Sequence, residues 1–324
     1  MTVPLHKQVK RGVRSVLVRA AIRLFALVPL RPALALASFV ARLGWVVARK
    51  TRAQMLAQLA VAFPDRPEAE REEIGRASLH HLAWLAAEVA TLDGYRARLP
   101  EYVGFAPGAE ARLRELMGRG RGLVYVTGHI GNWELMAQRV AADHPSATIA
   151  RTGNDPKLTE LIGRARAKGK VETLWREDPG TARAMIRCFK QGKLLGILID
   201  QDTNVQSVFV PFFGRPASTP RGAADLAIRF KVPVVVGWCR RRGAAPGAGH
   251  EIDCIEIPYD PAPPDKDAEV TRLTATCTTA LEAVIRRNPA EWVWMHERWK
   301  TRPAQAGSAT QAKGMPETAE LSGR

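Results

Sequence analysis

From Gly122 onward, short runs rich in Val, Ile and Leu alternate with stretches of helical periodicity, and no other feature constrains the fold of this chain as tightly. Strands are expected near Leu123 to Thr127, Thr148 to Ala150, Leu194 to Ile199, Val232 to Trp238 and Ile252 to Ile257. Strands that are almost wholly apolar need cover on both faces, and the helical stretches between them supply it. The predicted fold class is therefore α/β, with a mixed, largely parallel sheet flanked by helices.

The amino-terminal 50 residues read differently. From Val13 to Ala48 the chain is apolar apart from arginines and is broken once, at Pro29-Leu30-Arg31-Pro32. Two helices are implied. The first, Val13 to Val28, sets Arg19 and Arg23 opposite Val16, Leu17, Leu24 and Leu27, a basic amphipathic pattern suited to an anionic interface. The second, from Pro32 to about Lys50, is short for a span that needs around 20 residues, so interfacial anchoring and a true crossing both remain open, as does burial in the fold. A signal peptide cut after Ala35-Leu36-Ala37 fits poorly, because Arg31 would lie between the apolar core and the cut and more apolar chain follows. Residues 1–50 are thus expected to anchor the protein, 51–303 to form the catalytic domain, and 304–324, without periodic apolar content, to be a disordered tail.

Between these parts, Glu68 to Thr91 reads as a long helix after the Pro64-Asp65-Arg66-Pro67 turn, and its adjacent His80 and His81 point in different directions with no shared task. Lysine and arginine total 48 against 32 acidic residues, a formal charge of +16 that favours an anionic partner. The cations cluster with apolar runs near the amino terminus and aromatics are only 6%, so an anionic membrane is favoured over nucleic acid. Cys188, Cys239, Cys254 and Cys277 have no C-x-x-C spacing and are read as ordinary thiols in a reducing compartment.

The chemistry is expected where the strand Leu123 to Thr127 runs into Gly128-His129-Ile130-Gly131-Asn132-Trp133-Glu134, because ligand sites in α/β sheets gather at the carboxyl ends of strands. On one regular helix, residues five apart diverge by about 140°, so His129 and Glu134 could not meet. Gly128 and Gly131 permit a tight loop for His129, and Asn132 can cap a helix whose first turn holds Glu134. In that geometry the Glu134 carboxylate would hold the imidazole Nδ1–H and leave Nε2 to take a proton from a hydroxyl. On pattern alone, a packed loop histidine and a glutamate complementing the helix dipole account for the same residues equally well.

The run GHIGNWE, then Arg151-Thr152-Gly153-Asn154-Asp155-Pro156, Asp200-Gln201-Asp202, the stretch from Val208 to Thr219 and the closing Trp294 to Pro303 together resemble the bacterial lipid A biosynthesis acyltransferases of the Kdo2-lipid A lauroyl and myristoyl type. These lie within the lysophospholipid acyltransferase superfamily. The resemblance implies a glycerol-3-phosphate acyltransferase-like fold and a membrane enzyme on the cytoplasmic face of the bacterial inner membrane. It would move a fatty acyl chain from an acyl carrier protein or coenzyme A thioester to a hydroxyl of a glycolipid, with no resident cofactor and no metal. It makes His129 the base and Glu134 its orienting partner in an H-x-x-x-x-E motif, and sets Asn132, Arg151, Asn154, Arg176, Asp200, Gln201, Phe213 and Gly214 at the substrate. For the arginines, a phosphate or developing oxyanion is the natural partner.

Several readings stay open. Phe212-Phe213-Gly214 suits a substrate groove or an ordinary core-to-turn step equally, and His296 between Trp294 and Trp299 suits a lipid headgroup or a plain basic surface. Another membrane glycolipid or phospholipid is an alternative acceptor. Asp200-x-Asp202 also reads as the D-x-D of a metal-dependent glycosyltransferase, which leaves GHIGNWE unexplained.

Overall fold

The computed structural model describes residues 27–303 except Asn154, together with Val16, Ala20 and Phe25; most of the proposed Val13 to Val28 helix and the 304–324 tail lie outside the described residues. The described residues open with three helices, α1 (Leu30–Val47), α2 (Arg49–Ala62) and α3 (Glu68–Ala90). The single helix expected from Pro32 to Lys50 is in fact interrupted at Ala48, whose ψ of 55° ends one helix before Arg49 opens the next. After α4 (Leu99–Tyr102) come β1 (Val103–Phe105), α5 (Ala109–Gly118), β2 (Leu123–Thr127), α6 (Trp133–Asp143), β3 (Ser146–Ala150), α7 (Pro156–Lys168) and β4 (Val171–Trp175). The chain continues through α8 (Thr181–Lys190), β5 (Leu194–Leu198), β6 (Ser207–Phe212), β7 (Arg215–Pro220), α9 (Gly222–Phe230), β8 (Val234–Arg241), β9 (His250–Glu256) and α10 (Lys266–Arg287).

Seven strands form one mixed sheet in the order β1-β9-β8-β2-β5-β3-β4, in which only the β8–β9 pair is antiparallel. β2 is central and buried at every position, which is what its unbroken apolar run requires. The two faces have separate cores. One gathers Met55, Phe189, Val126, Leu195 and Leu273, and the other gathers Leu113, Tyr125, Leu135, Met136 and Ile252. Successive residues of β2, Tyr125 and Val126, go to opposite cores, as the strand period dictates.

β6 and β7 form a separate hairpin that periodicity did not reveal. Its turn residues Phe213 and Gly214 have φ of 50° and 72°, the left-handed pair that matches a hairpin's twist. At the amino-terminal end, α1 buries Ala33, Leu34, Ala37, Ala41 and Trp45 and leaves Leu36, Phe39, Val40, Leu43, Val46 and Val47 exposed. The buried stripe runs along α3: the Trp84 indole N–H donates to Ser38 Oγ at 2.7 Å, and a Cβ at Gly75 would come within 2.8 Å of the Trp45 ring.

Candidate functional site

β2 and β5 are parallel neighbours in register Thr127↔Leu198, so their carboxyl ends emerge side by side. Immediately beyond those ends lie His129 on one strand's exit and Asp200 on the other's. A Cβ at Gly128 would sit 2.9 Å from Asp200 Oδ2, so glycine is what lets the carboxylate close over the loop. Gly131 has φ of 60° and its Cβ would fall 1.8 Å from the Cys239 carbonyl oxygen, which fixes glycine there twice over. Asn132 then caps α6, its side-chain oxygen accepting from the Leu135 N–H.

The partner of the imidazole is not the one the sequence suggested. His129 Nδ1 lies 2.8 Å from Asp200 Oδ1, while Asp200 Oδ2 accepts from the His129 backbone N–H at 2.6 Å and from the Trp292 indole N–H at 2.8 Å. Burial alone would raise the Asp200 carboxyl, but the charge of His129 and the bonds from His129 and Trp292 outweigh it and hold the group at about 2. An ionised Asp200 accepts the Nδ1 proton and leaves Nε2 as the basic nitrogen. The imidazole also meets the Trp133 ring edge-on, with centroids 4.9 Å apart.

Glu134, expected to orient His129, instead takes a two-pronged bond from Arg166 of α7, with Nε to Oε2 at 3.0 Å and Nη2 to Oε1 at 2.5 Å. The reason is spatial: in the first turn of α6, Glu134 reaches a neighbouring helix, whereas the parallel strand next to β2 delivers Asp200 directly to the loop. Both Glu134 and Arg166 nevertheless line the same cavity as His129. Arg166 was not singled out by its sequence, where it is one of many cations on a helix.

The cavity holds about 990 Å³, at the upper end for a small-molecule site. Its buried lining is mostly apolar, from Met136, Val140, Ala147, Leu194 and Ile197, with Gly196 between the last two and the hydroxyls of Thr127, Ser146 and Thr181 as its polar points. Arg151, Arg176, Arg229 and Lys266 stand at its more exposed margin, and Gln201 borders it as well. Arg176 also pairs with Glu177 at 3.4 Å.

Four other expected substrate residues are placed differently. Asn132 is fully buried behind the loop, its amide N–H donating to Glu88 at 2.8 Å, so it shapes the loop and does not line the cavity. Asp200 stands behind His129, also out of the cavity. Phe213 and Gly214 form the hairpin turn, Phe213 packing against Phe63 and Trp294, which settles the core-to-turn reading. Asn154 lies outside the described residues.

The carboxyl-terminal cluster is divided, with Trp294 and Arg298 buried, His296 and Trp299 half-buried, and Lys300 and Arg302 exposed. Arg298 is fully buried, donating to the Ser218 carbonyl and Thr219 Oγ1 beneath the Phe212 ring, and His296 Nε2 accepts from the Asp202 backbone N–H. Asp202 itself is held by the Thr301 N–H and hydroxyl, so the two carboxylates of Asp200-x-Asp202 serve separate partners and do not converge on a cation site. The four cysteines are buried free thiols.

Comparison with known proteins places the sequence in a family. Residues 6–301 match the family described as bacterial lipid A biosynthesis acyltransferase. A lipid A biosynthesis lauroyltransferase of Escherichia coli (strain K12) is 29% identical over 266 residues, covering 78% of this chain and 81% of that protein. A lipid A biosynthesis acyltransferase of Haemophilus influenzae is 27% identical over 267 residues, covering 80% of this chain and 82% of the relative. The chain belongs to the bacterial lipid A biosynthesis acyltransferase family, and is an O-acyltransferase.

Proposed function

We propose that the protein transfers a fatty acyl chain from an acyl carrier protein thioester to a hydroxyl of a Kdo-bearing lipid A precursor, with His129 as general base and Asp200 as its orienting partner. The observation that carries this reading is the 2.8 Å contact between His129 Nδ1 and a buried carboxylate, at the edge of a cavity that is mostly apolar within and cationic at its margin. Nε2 takes the proton of the acceptor hydroxyl as its oxygen attacks the thioester carbonyl carbon. The resulting tetrahedral oxyanion collapses, the C–S bond breaks, and the thiolate recovers the proton from the imidazolium. No serine or cysteine nucleophile is needed; the buried Cys239 and Cys277 thiols are pushed up by desolvation, which makes them poor nucleophiles.

In this reading the apolar interior receives the acyl chain and Arg151 and Arg176 meet phosphate or the oxyanion. Glu134, braced by Arg166, contributes a carboxylate of fixed position at the cavity wall that can orient the acceptor.

Membrane association belongs to the same proposal. α1 is apolar enough to cross a bilayer by length and composition. Its buried stripe, however, is packed along α3, with Gly75 at Trp45, Leu79 at Gly44 and Trp84 at Ser38, so a crossing would carry that stretch of α3, with Arg76, His80 and His81, into hydrocarbon. The exposed Phe39, Val40, Leu43 and Val47 instead suit a helix lying in the interface, and the proposed location is the cytoplasmic face of the inner membrane.

The deciding experiment supplies the purified protein with lauroyl thioesters of acyl carrier protein and of coenzyme A, together with a panel of lipid acceptors, and identifies products by mass. Selective acylation of the Kdo-bearing precursor from the carrier protein is expected. Transfer to a different lipid, or none from either thioester, overturns the assignment of substrate.

A further inference from the structure

Behind the His129 loop lies a buried ion pair that the transfer chemistry does not use. Glu88, at the end of α3, and Arg241, at the end of β8, are paired at 2.6 and 2.9 Å with side chains essentially sealed from solvent. The same carboxylate accepts from the Tyr102 hydroxyl at 2.8 Å, from Asn132 Nδ2 at 2.8 Å and from His250 Nε2 at 3.1 Å. Burial would push the Glu88 carboxyl up, but the bond from His250 and the charge of Arg241 outweigh it and keep it well below the usual range. A buried pair of this kind is seldom the cheapest way to stabilise a core, since packed apolar side chains do as well or better.

Two of its connections, through Asn132 and through Glu291, lead to one place. Asn132, held by Glu88, caps the helix that carries Glu134. The Arg241 backbone N–H donates to the Glu291 carboxylate at 3.0 Å, the Glu291 carbonyl accepts from Gly131 N–H at 2.9 Å, and the next residue, Trp292, donates to Asp200. Gly131 and Asn132, the residues that turn the chain from His129 toward Glu134, are thus both tied to the Glu88–Arg241 pair. We propose that Glu88 and Arg241 are positioning residues, acting through Asn132 and Glu291 to fix the loop that presents His129 and Glu134 to the substrate. This rests on the acyl-transfer reading for its kinetic test only.

Three variants separate positioning from bulk stability. Asn132→Ser keeps an oxygen able to cap α6 but loses the N–H that reaches Glu88. Glu88→Gln keeps the shape and removes the charge. Tyr102→Phe removes a different donor from the same carboxylate without touching the loop. With lauroyl acyl carrier protein and a Kdo-bearing lipid A precursor, Asn132→Ser and Glu88→Gln should each lower kcat on the order of a hundredfold, the cost of an ångström-scale misplacement, with KM unchanged. Their double variant should be no worse than the poorer single, and Tyr102→Phe should match wild type. Amide exchange followed by mass spectrometry should show lost protection confined to residues 128–136 in the first two variants. Wild-type kcat in Asn132→Ser, or an equal loss in Tyr102→Phe, overturns the proposal. If the wild-type chain transfers nothing to this acceptor, the substrate reading fails alone. The exchange pattern then decides: loosening confined to 128–136 sustains the positioning role, and unchanged protection refutes it. Should Glu88→Gln not fold, Asn132→Ser carries both readouts.

Discussion

Replacing Asp200 by asparagine keeps every heavy atom in place and should still be among the most damaging substitutions available. Asp200 Oδ2 accepts two N–H groups, from the His129 backbone and from Trp292, while Oδ1 faces His129 Nδ1. An asparagine must put its one oxygen where the two donors converge; turning it the other way would leave both unsatisfied, at about 1–3 kcal/mol each. The NH₂ group therefore faces Nδ1, which becomes an acceptor, and the imidazole proton moves to Nε2, the nitrogen required as base. Trapping a catalytic histidine in the wrong tautomer costs on the order of ten-thousand-fold in kcat, about 5 kcal/mol at 1.36 kcal/mol per tenfold. Asp200→Ala, which leaves Nδ1 free to keep its proton, should lose less, about a hundred- to thousandfold. Single-turnover lauroyl transfer measures the rates, and ¹⁵N shifts of the imidazole report the tautomer. An asparagine variant within tenfold of wild type, or one whose imidazole still carries its proton on Nδ1, would refute the reasoning.

Three other outcomes are expected. Gly196 lines the cavity and a Cβ there would meet only ordinary contacts, the nearest at 3.6 Å, so Gly196→Leu should shorten the preferred acyl chain, each blocked methylene costing roughly 10- to 100-fold in kcat/KM; an unchanged chain-length profile would show that the chain does not lie there. Burial raises the Glu291 carboxyl to about 7, so it favours the folded state when protonated, a contribution complete below its ordinary value near 4.5 and lost as pH rises through 7. Glu291→Gln should therefore gain stability relative to wild type between pH 5 and about 8, on the order of 2–3 kcal/mol, and parallel unfolding midpoints at both pH values would contradict this. Phe39→Glu with Leu43→Glu should reduce binding to anionic vesicles by more than about a hundredfold, since each buried side chain of this kind contributes roughly 1.5–3 kcal/mol; undiminished co-sedimentation would remove α1 from the interface.

Sequence patterns exposed the α/β class and the strand-to-loop step at His129 because both are local: an unbroken apolar run, two glycines and a capping asparagine sit within a dozen residues. The identity of the imidazole's partner is not local. It depends on β5 lying beside β2, a pairing that no spacing between positions 129 and 200 encodes, so the nearer carboxylate at Glu134 drew the role. Strand β4 escaped notice because Glu172 and Thr173 interrupt its apolar run, and β6 and β7 because Pro211 and Pro216 speak against a strand. A phenylalanine in the left-handed region at the hairpin tip is a poor turn signal. The sequence leaves His296 open between a lipid headgroup site and a basic surface; the Asp202 amide that meets it, and the carbonyl and hydroxyl that bury Arg298 beside it, come together only in three dimensions.

The clamp on His129 is assembled from distant parts of the chain. Asp200 lies 71 positions beyond His129, and Trp292, which steadies it, 92 further still. During synthesis the histidine emerges long before either, and the nascent chain has an imidazole with no assigned tautomer and no neighbouring carboxylate. Only when the last turn of the fold has left the ribosome can Trp292 seat Asp200 against the loop. A chain ending before Trp292 would lack the indole N–H on Asp200 Oδ2, and with it one of the two donors that seat the carboxylate against the loop.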